Sequence, residues 1–394
     1  MALADRWLLP DGVKEILPPQ AQQVEAARRR LLDLYDSWGY ELVMTPLIEH
    51  LDSLLIGVGR DLDLNTFKVT DQLTGRMLGI RSDITQQVAR IDAHRLHHQG
   101  PVRLCYCSTV LHTLPANPLA SRNPLQVGAE LFGHSGIASD VEIISLMVET
   151  LTAMAVKQDL SLDLGHVGIY RGLMREAGLS EAQETEYFEL LQRKDQPEIE
   201  RFLAAVELPA AVIEHLAALP TLNGGREVIA RARQRFAGVE DSILEALDYL
   251  DALADQLEQR YPALDLYFDL SELRGYNYHT GVVFAAYTPT YGQPVAKGGR
   301  YDKIGRDFGR ARPATGFSAD LKTLVELSSR VGGQVRRSIL APASNDPALL
   351  GVVADLRAQG ERVVQLLDDG VMDDVQTFSR QLVQQDGVWV LQDL

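Results

Sequence analysis

Apolar residues recur every three or four positions over residues 20–38, and this spacing places their side chains on one face of an α-helix. Gly39 ends the predicted helix, and residues 40–47 then alternate as a β-strand does. Pro46 has no backbone donor, so this strand is expected at a sheet edge or an interface. The chain therefore begins with an amphipathic helix and an edge strand.

The pattern predicts more strands and helices on both sides of a distinct central region. The predicted strands are 65–70, 77–80, 102–111, 125–132, 264–270, 282–287 and 295–298, and the predicted helices are 85–95, 139–155 and 319–327. Residues 170–261 carry a leucine stripe at helical spacing and many Glu and Gln residues. We therefore expect an α+β fold in which a helical insertion, about residues 170–261, separates two β-rich halves.

The C-terminal segment has a pattern of its own. Residues 328–337 contain a glycine pair and are interpreted as a linker between a domain over residues 1–327 and a module over residues 338–394. Short apolar strands are predicted at 338–341, 362–367 and 387–391, with helices at 347–359 and 373–385. Strands that alternate with helices favour a small parallel α/β module.

Charge and cysteine content narrow the function. The chain has 54 acidic and 38 basic residues, a net charge of −16, which argues against binding tRNA through overall charge. Two cysteines provide no disulfide framework. The first residues lack the pattern of a secretory signal, and no stretch is apolar enough to span a membrane. We expect a cytoplasmic protein that binds no membrane.

The sequence contains no Walker A loop and no HExxH motif, which argues against the common nucleotide and zinc-protease sites. Cys105 and Cys107 are separated by one residue, whereas paired zinc ligands are usually separated by two to four. Both thiols fall on a predicted buried strand, where cysteine behaves as a small apolar residue. We expect no metal ion and no cofactor.

Polar side chains are concentrated in two places where a core would be apolar. In the predicted strand 125–132, alternation puts Gln126, Gly128 and Glu130 on one face, which suits the floor of a site for a small polar ligand. Residues 273–281 and 298–302 are rich in Arg, Tyr, His and Gly, as binding loops are. The alternative is a pair of glycine-rich hairpins filled by aromatic residues, but Arg274 and Arg300 have no evident structural role.

At these residues the chain resembles histidyl-tRNA synthetase, a class II aminoacyl-tRNA synthetase, over most of residues 6–327. The matching segments are 8–12, 39–46 (motif 1), 81–85, 126–130 (motif 2 strand), 274–278, 298–302 and 314–317. The resemblance implies a class II antiparallel sheet with flanking helices. It also implies a dimer through the motif 1 region.

The resemblance further implies a pocket for L-histidine. Its residues would be Asp83, Thr85, Gln126, Glu130, Arg274, Tyr278, His279 and Tyr301. By analogy, Asp83 binds the α-ammonium group and Glu130 binds the imidazole. Asp83 is one methylene shorter than the family's glutamate, and His279 replaces a tyrosine.

The positions that bind ATP in the synthetase family differ here. His112 stands where the motif 2 arginine holds the α-phosphate, Leu114 replaces an acid, and Thr323 replaces the motif 3 arginine. Adenylation builds negative charge on phosphorus, and the loss of one such stabilising group typically costs ~10²-fold or more. The C-terminal module is also shorter than the family's anticodon-binding domain. We therefore expect no catalytic residues and no adenylation.

A synthetase fold with retained histidine residues and an altered ATP site is similar to the regulatory subunits of ATP phosphoribosyltransferase. That resemblance implies a non-catalytic partner of a short-form catalytic subunit, in a hetero-octamer, at the first and histidine-inhibited step of histidine biosynthesis. One alternative is a histidine-activating synthetase with a reorganised ATP site, in which Arg122 or Arg274 contacts phosphate. Another is a stand-alone histidine sensor with a different partner.

Overall fold

The computed structural model describes residues 7–56, 60–115, 120–156, 159–273, 275–276, 278–328, 337–367 and 378–394. The chain divides into two compact units, Met1–Arg330 and Val331–Leu394. No helix among the described residues is long and apolar enough to cross a membrane.

The first unit contains helices around and between the strands of two sheets. Its helices are α1 Gln20–Ser37, α2 Leu51–Leu54, α3 Arg60–Asn65, α4 Thr85–Ile91, α5 Ile137–Ala153, α6 Val167–Ala177, α7 Glu181–Arg193, α8 Gln196–Ala205, α9 Ala210–Ala218, α10 Glu227–Arg235, α11 Asp241–Arg260, α12 Ile304–Asp307 and α13 Leu321–Leu327, with a π-helical turn at Asp92–Leu96 and a 3-10 turn at Leu219–Thr221. Its strands are β1 Glu41–Leu42, β2 Ile48–His50, β3 Phe67–Thr70, β4 Met77–Ile80, β5 Val102–Thr109, β6 Leu125–Phe132, β7 Ser161–His166, β8 Asn223–Gly224, β9 Asp265–Asp269, β10 Val282–Tyr287, β11 Ala296–Arg300 and β12 Ala314–Asp320.

Nine of these strands form the large sheet of the described structure, in the order β1-β5-β6-β12-β11-β10-β7-β9-β8. From β5 to β7 every neighbouring pair is antiparallel, and the parallel pairs β1–β5 and β7–β9 lie outside that centre. The expected antiparallel sheet with flanking helices is therefore confirmed.

One face of this sheet is covered by long helices. Tyr35 of α1 packs edge-on against Phe317 of β12 with ring centroids 6.2 Å apart, and α5 and α13 also contact β12. Side chains alternate along a strand, so Gly316 and Ser318 face the opposite side. That opposite face is where polar groups collect.

The region after α1 differs from the single strand predicted for residues 40–47. β1 ends at Leu42, and β2 begins at Ile48 in a separate three-stranded sheet of order β2-β4-β3. Pro46 lies between the two sheets, where its missing N–H leaves no gap in a ladder.

The region between β7 and β9 is mostly helical. Helices α6 to α11 fill it, and the leucine stripe of α11 is buried at Leu247, Leu250, Leu253 and Leu257. One short strand, β8, pairs with β9, so the region is not entirely helical.

The second unit contains β13 Ser338–Ala341, α14 Pro347–Ala358, β14 Val363–Gln365, β15 Phe378–Gln385 and β16 Val388–Asp393. The predicted helix 373–385 is wrong over residues 378–385, which form β15, and residues 373–377 lie outside the described residues. Asp386 and Gly387, with φ of 50° and 82°, make the tight turn to β16. Because β15 and β16 are antiparallel, the sheet is mixed and not fully parallel.

Candidate functional site

Glycines on the open face of the large sheet make room for two functional side chains. Glu130 of β6 pairs with Gly316 of β12, which pairs with Gly299 of β11. A β-carbon at Gly316 would overlap the Glu130 carboxylate, and one at Gly299 would overlap the His279 ring. Both side chains can therefore lie against the backbone of the sheet.

Three hydroxyl groups hold the Glu130 carboxylate. Thr85 Oγ1 and the Tyr106 hydroxyl each donate to Oε1 at 3.0 Å, and the Tyr301 hydroxyl donates to Oε2. Glu130 is 1% exposed, and this burial raises its pKa to about 8, although the three hydroxyls act in the opposite direction. A buried acid held in this way is suited to receive an N–H group or a cation from a ligand.

Asp83 is fixed beside this acid by a second network. The backbone N–H of Thr85 donates to Asp83 Oδ1 at 2.9 Å, and Gln126 Nε2 donates to the same oxygen at 3.1 Å. The side-chain oxygen of Gln126 accepts from the N–H of Ile84 at 3.0 Å. Gln126 therefore joins the start of α4 to the sheet, and the half-buried Asp83 carboxylate lines the same cavity as Glu130.

Aromatic residues close the other side of the Glu130 site. Tyr278 stacks on Tyr301 with ring centroids 4.9 Å apart, and His279 meets Tyr278 edge-on at 5.3 Å. The Tyr278 hydroxyl is buried and has no hydrogen-bond partner within the described part of the chain. Of the eight residues predicted for the site, seven line or support this one place, and Arg274 lies outside the described residues.

The cavity at this place has a volume of about 510 Å³ and an acidic lining. Asp163 and Glu272 add carboxylates to those of Asp83 and Glu130, and Lys297 supplies the positive charge among the described lining residues. Such a lining favours a ligand that carries cationic groups. The volume is sufficient for a free amino acid.

Sequence reasoning missed several of these residues. From the sequence, Cys105 and Cys107 were considered, but Tyr106, which lies between them, was not. Tyr106 of β5 pairs with Gly128 of β6, and its hydroxyl donates to Glu130. Lys297 was also missed. The strand pairing of two predicted strands was the available signal for Tyr106, since residues paired across strands share a face.

Arg300 has a structural role, so the interpretation that it has none was wrong. Its guanidinium donates to Asp140 Oδ2 at 3.0 Å, to Ser139 Oγ at 2.8 Å and to the carbonyl oxygen of His134 at 3.2 Å. Arg300 and Asp140 are both buried, which gives the arginine a partner inside the protein.

Two of the residues at positions that bind ATP in the synthetase family form hydrogen bonds within this protein. His112 Nε2 lies 3.0 Å from the carbonyl oxygen of Ser82, and the Thr323 hydroxyl donates to Asp320 Oδ2 at 3.0 Å. Leu114 is 67% exposed.

Arg122, which the synthetase alternative would use for phosphate, is also engaged. It donates to the carbonyl oxygens of His112 at 3.0 Å and Asp11 at 2.9 Å, and it lies over the Phe67 ring. Through these contacts Arg122 connects Asp11, Phe67 and His112, which is a structural role.

Comparisons with known proteins agree with this architecture. The family model for histidyl-tRNA synthetase matches residues 12–324, and the model for the ATP phosphoribosyltransferase subunit HisZ C-terminal domain matches residues 336–392. A histidyl-tRNA synthetase from Nostoc has the same fold, with a TM-score of 0.77 at 16% identity over 98% of this chain and 97% of that chain. The fold and pocket thus define a class II protein of the histidyl-tRNA synthetase type.

More similar relatives identify the family within that class. The ATP phosphoribosyltransferase regulatory subunit of Thioalkalivibrio sulfidiphilus is 57% identical over 93% of this chain and 92% of its own, and that of Stutzerimonas stutzeri is 55% identical over the whole of both. A Bacillus halodurans structure, described as an ATP phosphoribosyltransferase regulatory subunit/histidyl-tRNA synthetase, has a TM-score of 0.82 at 28% identity, covering 93% of this chain and 94% of that chain. The chain belongs to the family of ATP phosphoribosyltransferase regulatory subunits.

Proposed function

We propose that this chain is the non-catalytic subunit that makes a short-form ATP phosphoribosyltransferase sensitive to L-histidine, at the first step of histidine biosynthesis. The observation that carries the proposal is the contrast between two sets of residues. Three hydroxyl groups hold the carboxyl group of Glu130 in the cavity. His112 and Thr323, at positions where the synthetase family binds ATP, instead form hydrogen bonds within the protein. A pocket with this chemistry and no adenylation machinery suits a sensor.

L-Histidine matches the charges of the cavity. Its imidazole can donate an N–H to Glu130, and its ammonium group can pair with the Asp83 carboxylate. A charge-assisted contact of this kind contributes ~1.5–3 kcal/mol, so Glu130→Gln should weaken histidine binding ~10-fold or more at about pH 8 and above, where the Glu130 carboxyl is ionised. Tyr278, His279 and Tyr301 would enclose the imidazole.

Regulation requires that histidine bind two states of the complex with different affinity. A ligand shifts an equilibrium only by its differential affinity for the two states, so the pocket must sense the partner. In the loop from Tyr276 to Gly281, His279 lines the cavity, and its carbonyl oxygen accepts a hydrogen bond from Arg171 Nη2 at 2.7 Å. We propose that this loop transmits the allosteric signal.

Self-association through the motif 1 region is part of the proposal. From the end of β1 to the start of β2, four apolar side chains are exposed by 41%, 80%, 49% and 48%, namely those of Leu42, Met44, Leu47 and Ile48. Apolar side chains grouped in this way are typical of a protein–protein interface. We propose that a dimer formed here is the core of a hetero-octamer with the catalytic subunit, to be measured by light scattering of the mixed subunits.

We also propose a cytoplasmic location and no function in tRNA binding. The net charge of −16 disfavours a polyanion, and the small C-terminal unit matches a domain described for the HisZ subunit.

The deciding experiment follows phosphoribosyl-ATP formation by the short catalytic subunit, with and without this chain, across a histidine titration. We expect this chain to have no activity alone, to change the partner's turnover, and to confer inhibition by histidine. Glu130→Gln should shift the inhibition curve to higher histidine, whereas Glu245→Gln, an exposed control on α11, should not. Identical inhibition curves with and without the wild-type chain would contradict the proposal.

A further inference from the structure

Lys297 has no assigned role, although it lies on the floor of the cavity. It belongs to β11, where it is exposed and lines the cavity two residues before Gly299. Strand pairing aligns Lys297 with Ser318 of β12, and Ser318 with Gly128 of β6. These three residues form one row on the open face of the sheet.

The Gly128 row runs between the two groups that would hold a bound amino acid. On β6, Glu130 lies two residues beyond Gly128, and Gln126, which holds Asp83, lies two residues before it. The Tyr106 ring covers Gly128, whereas Ser318 and Lys297 line the cavity. An amino acid with its imidazole at Glu130 and its ammonium at Asp83 would therefore lie over the Ser318 and Lys297 part of this row. The remaining substituent of the ligand Cα is the carboxylate, which would face Ser318 and Lys297 in the same cavity.

Distance and charge both favour a contact. Lys297 and Ser318 are paired on neighbouring strands, which are ~4.8 Å apart, so a flexible lysine side chain can reach a carboxylate that lies above Ser318. The other charged residues that line the cavity, among those described, are Asp83, Glu130, Asp163 and Glu272. A carboxylate would be repelled by Asp83, Asp163 and Glu272 and attracted by Lys297.

We propose that Lys297, assisted by the Ser318 hydroxyl, binds the α-carboxylate of the ligand and so makes the pocket select amino acids over amines. This inference rests on the proposed histidine site. It gives the sheet floor a specificity function that is separate from imidazole recognition by Glu130.

The test compares ligands that differ only at the carboxylate. Calorimetry would measure L-histidine, L-histidinol and histamine binding to the full chain and to Lys297→Met, Lys297→Arg and Lys303→Met, the last being an exposed lysine outside the cavity. We expect Lys297→Met to weaken histidine binding about three- to tenfold and to leave histamine binding unchanged or stronger, as for a partly screened ion pair. Lys297→Arg should restore most of the loss, and Lys303→Met should behave as wild type.

Salt gives an independent readout, because an exposed ion pair weakens as ionic strength rises. The preference of the wild type for histidine over histamine should fall at high salt, and the preference of Lys297→Met should not. Equal loss of all three ligands in Lys297→Met would indicate a structural role and overturn the inference, as would unchanged histidine affinity. If the wild type binds neither histidine nor histamine, the proposed histidine site itself fails.

Discussion

Glu130 and Gly316 face each other across β6 and β12, and the carboxylate of Glu130 occupies the space that a β-carbon at Gly316 would require. Three hydroxyl donors can reach that carboxylate because it lies close to the sheet. The position of the acid therefore depends on a residue with no side chain on the neighbouring strand.

Gly316→Ala should displace the carboxyl group of Glu130 and so lower both the stability of the protein and its affinity for histidine. Overpacking of this kind typically costs ~1–3 kcal/mol of folding free energy, and histidine binding should be lost because the three hydroxyl groups no longer hold Glu130. Urea unfolding and calorimetry would measure both effects. Gly351→Ala in α14 is the matched control, since a β-carbon there meets no atom within 4 Å and alanine suits a helix better by ~0.5–1 kcal/mol. Equal stability of the two variants would contradict the overlap.

The raised pKa of Glu130 predicts a specific pH dependence of stability. Burial raises this pKa from 4.5 to about 8, so the folded chain retains a proton that the unfolded chain releases between these values. The resulting stabilisation is complete below about pH 4.5 and is lost as pH rises through about 8.

Glu130→Gln, which resembles the protonated acid, should lack this loss. Relative to the variant, the wild type should lose on the order of 2 kcal/mol of unfolding free energy between about pH 6 and about pH 8. Urea unfolding of both proteins across this range would measure the difference. If the unfolding free energies of the wild type and Glu130→Gln changed in parallel with pH, Glu130 would already be ionised in the folded chain. The control variant Glu245→Gln should show the same pH dependence as the wild type.

The buried pair of Arg300 and Asp140 should be important for stability. Asp140 has no exposed surface, so Arg300→Met would leave a buried acid without its cation and should cost ~3–5 kcal/mol. Arg175→Met breaks an exposed pair with Glu240 and should cost only ~0–1 kcal/mol. Comparable midpoints of thermal unfolding for the two variants would rule out the structural role of Arg300.

The sequence pattern predicted helices and strands correctly where neighbouring residues determine them, and failed where pairing with a distant strand does. The helix at 20–38 could be read from its apolar spacing and Gly39, and the structure has α1 at Gln20–Ser37. Residues 378–385 alternate weakly, and their pairing with β13 and β16 makes them a strand, so a helix was predicted in error.

The site shows the same division. Glu130, Gln126 and Thr85 could be predicted because they belong to short ordered motifs. Tyr106 and Lys297 reach the cavity through strand register, which single-sequence patterns specify poorly. The structural role of Arg300 depends on an acid 160 residues away, and nothing near Arg300 in the sequence indicates that acid.

Histidine-dependent exchange of pyrophosphate with ATP should be at background for this chain. Adenylation needs preorganised cations around the phosphorus, and the loss of a single stabilising donor costs ~10²–10³-fold. His112 and Thr323 stand at two such positions, and both make contacts within the protein. Arg122 donates to two backbone carbonyl oxygens and so is not free to replace the missing arginines.

The assay should include a bacterial histidyl-tRNA synthetase as a positive control, and His112→Arg alone should not restore exchange because Thr323 would remain. An exchange rate near that of the control would instead make this chain a histidine-activating enzyme with a reorganised ATP site.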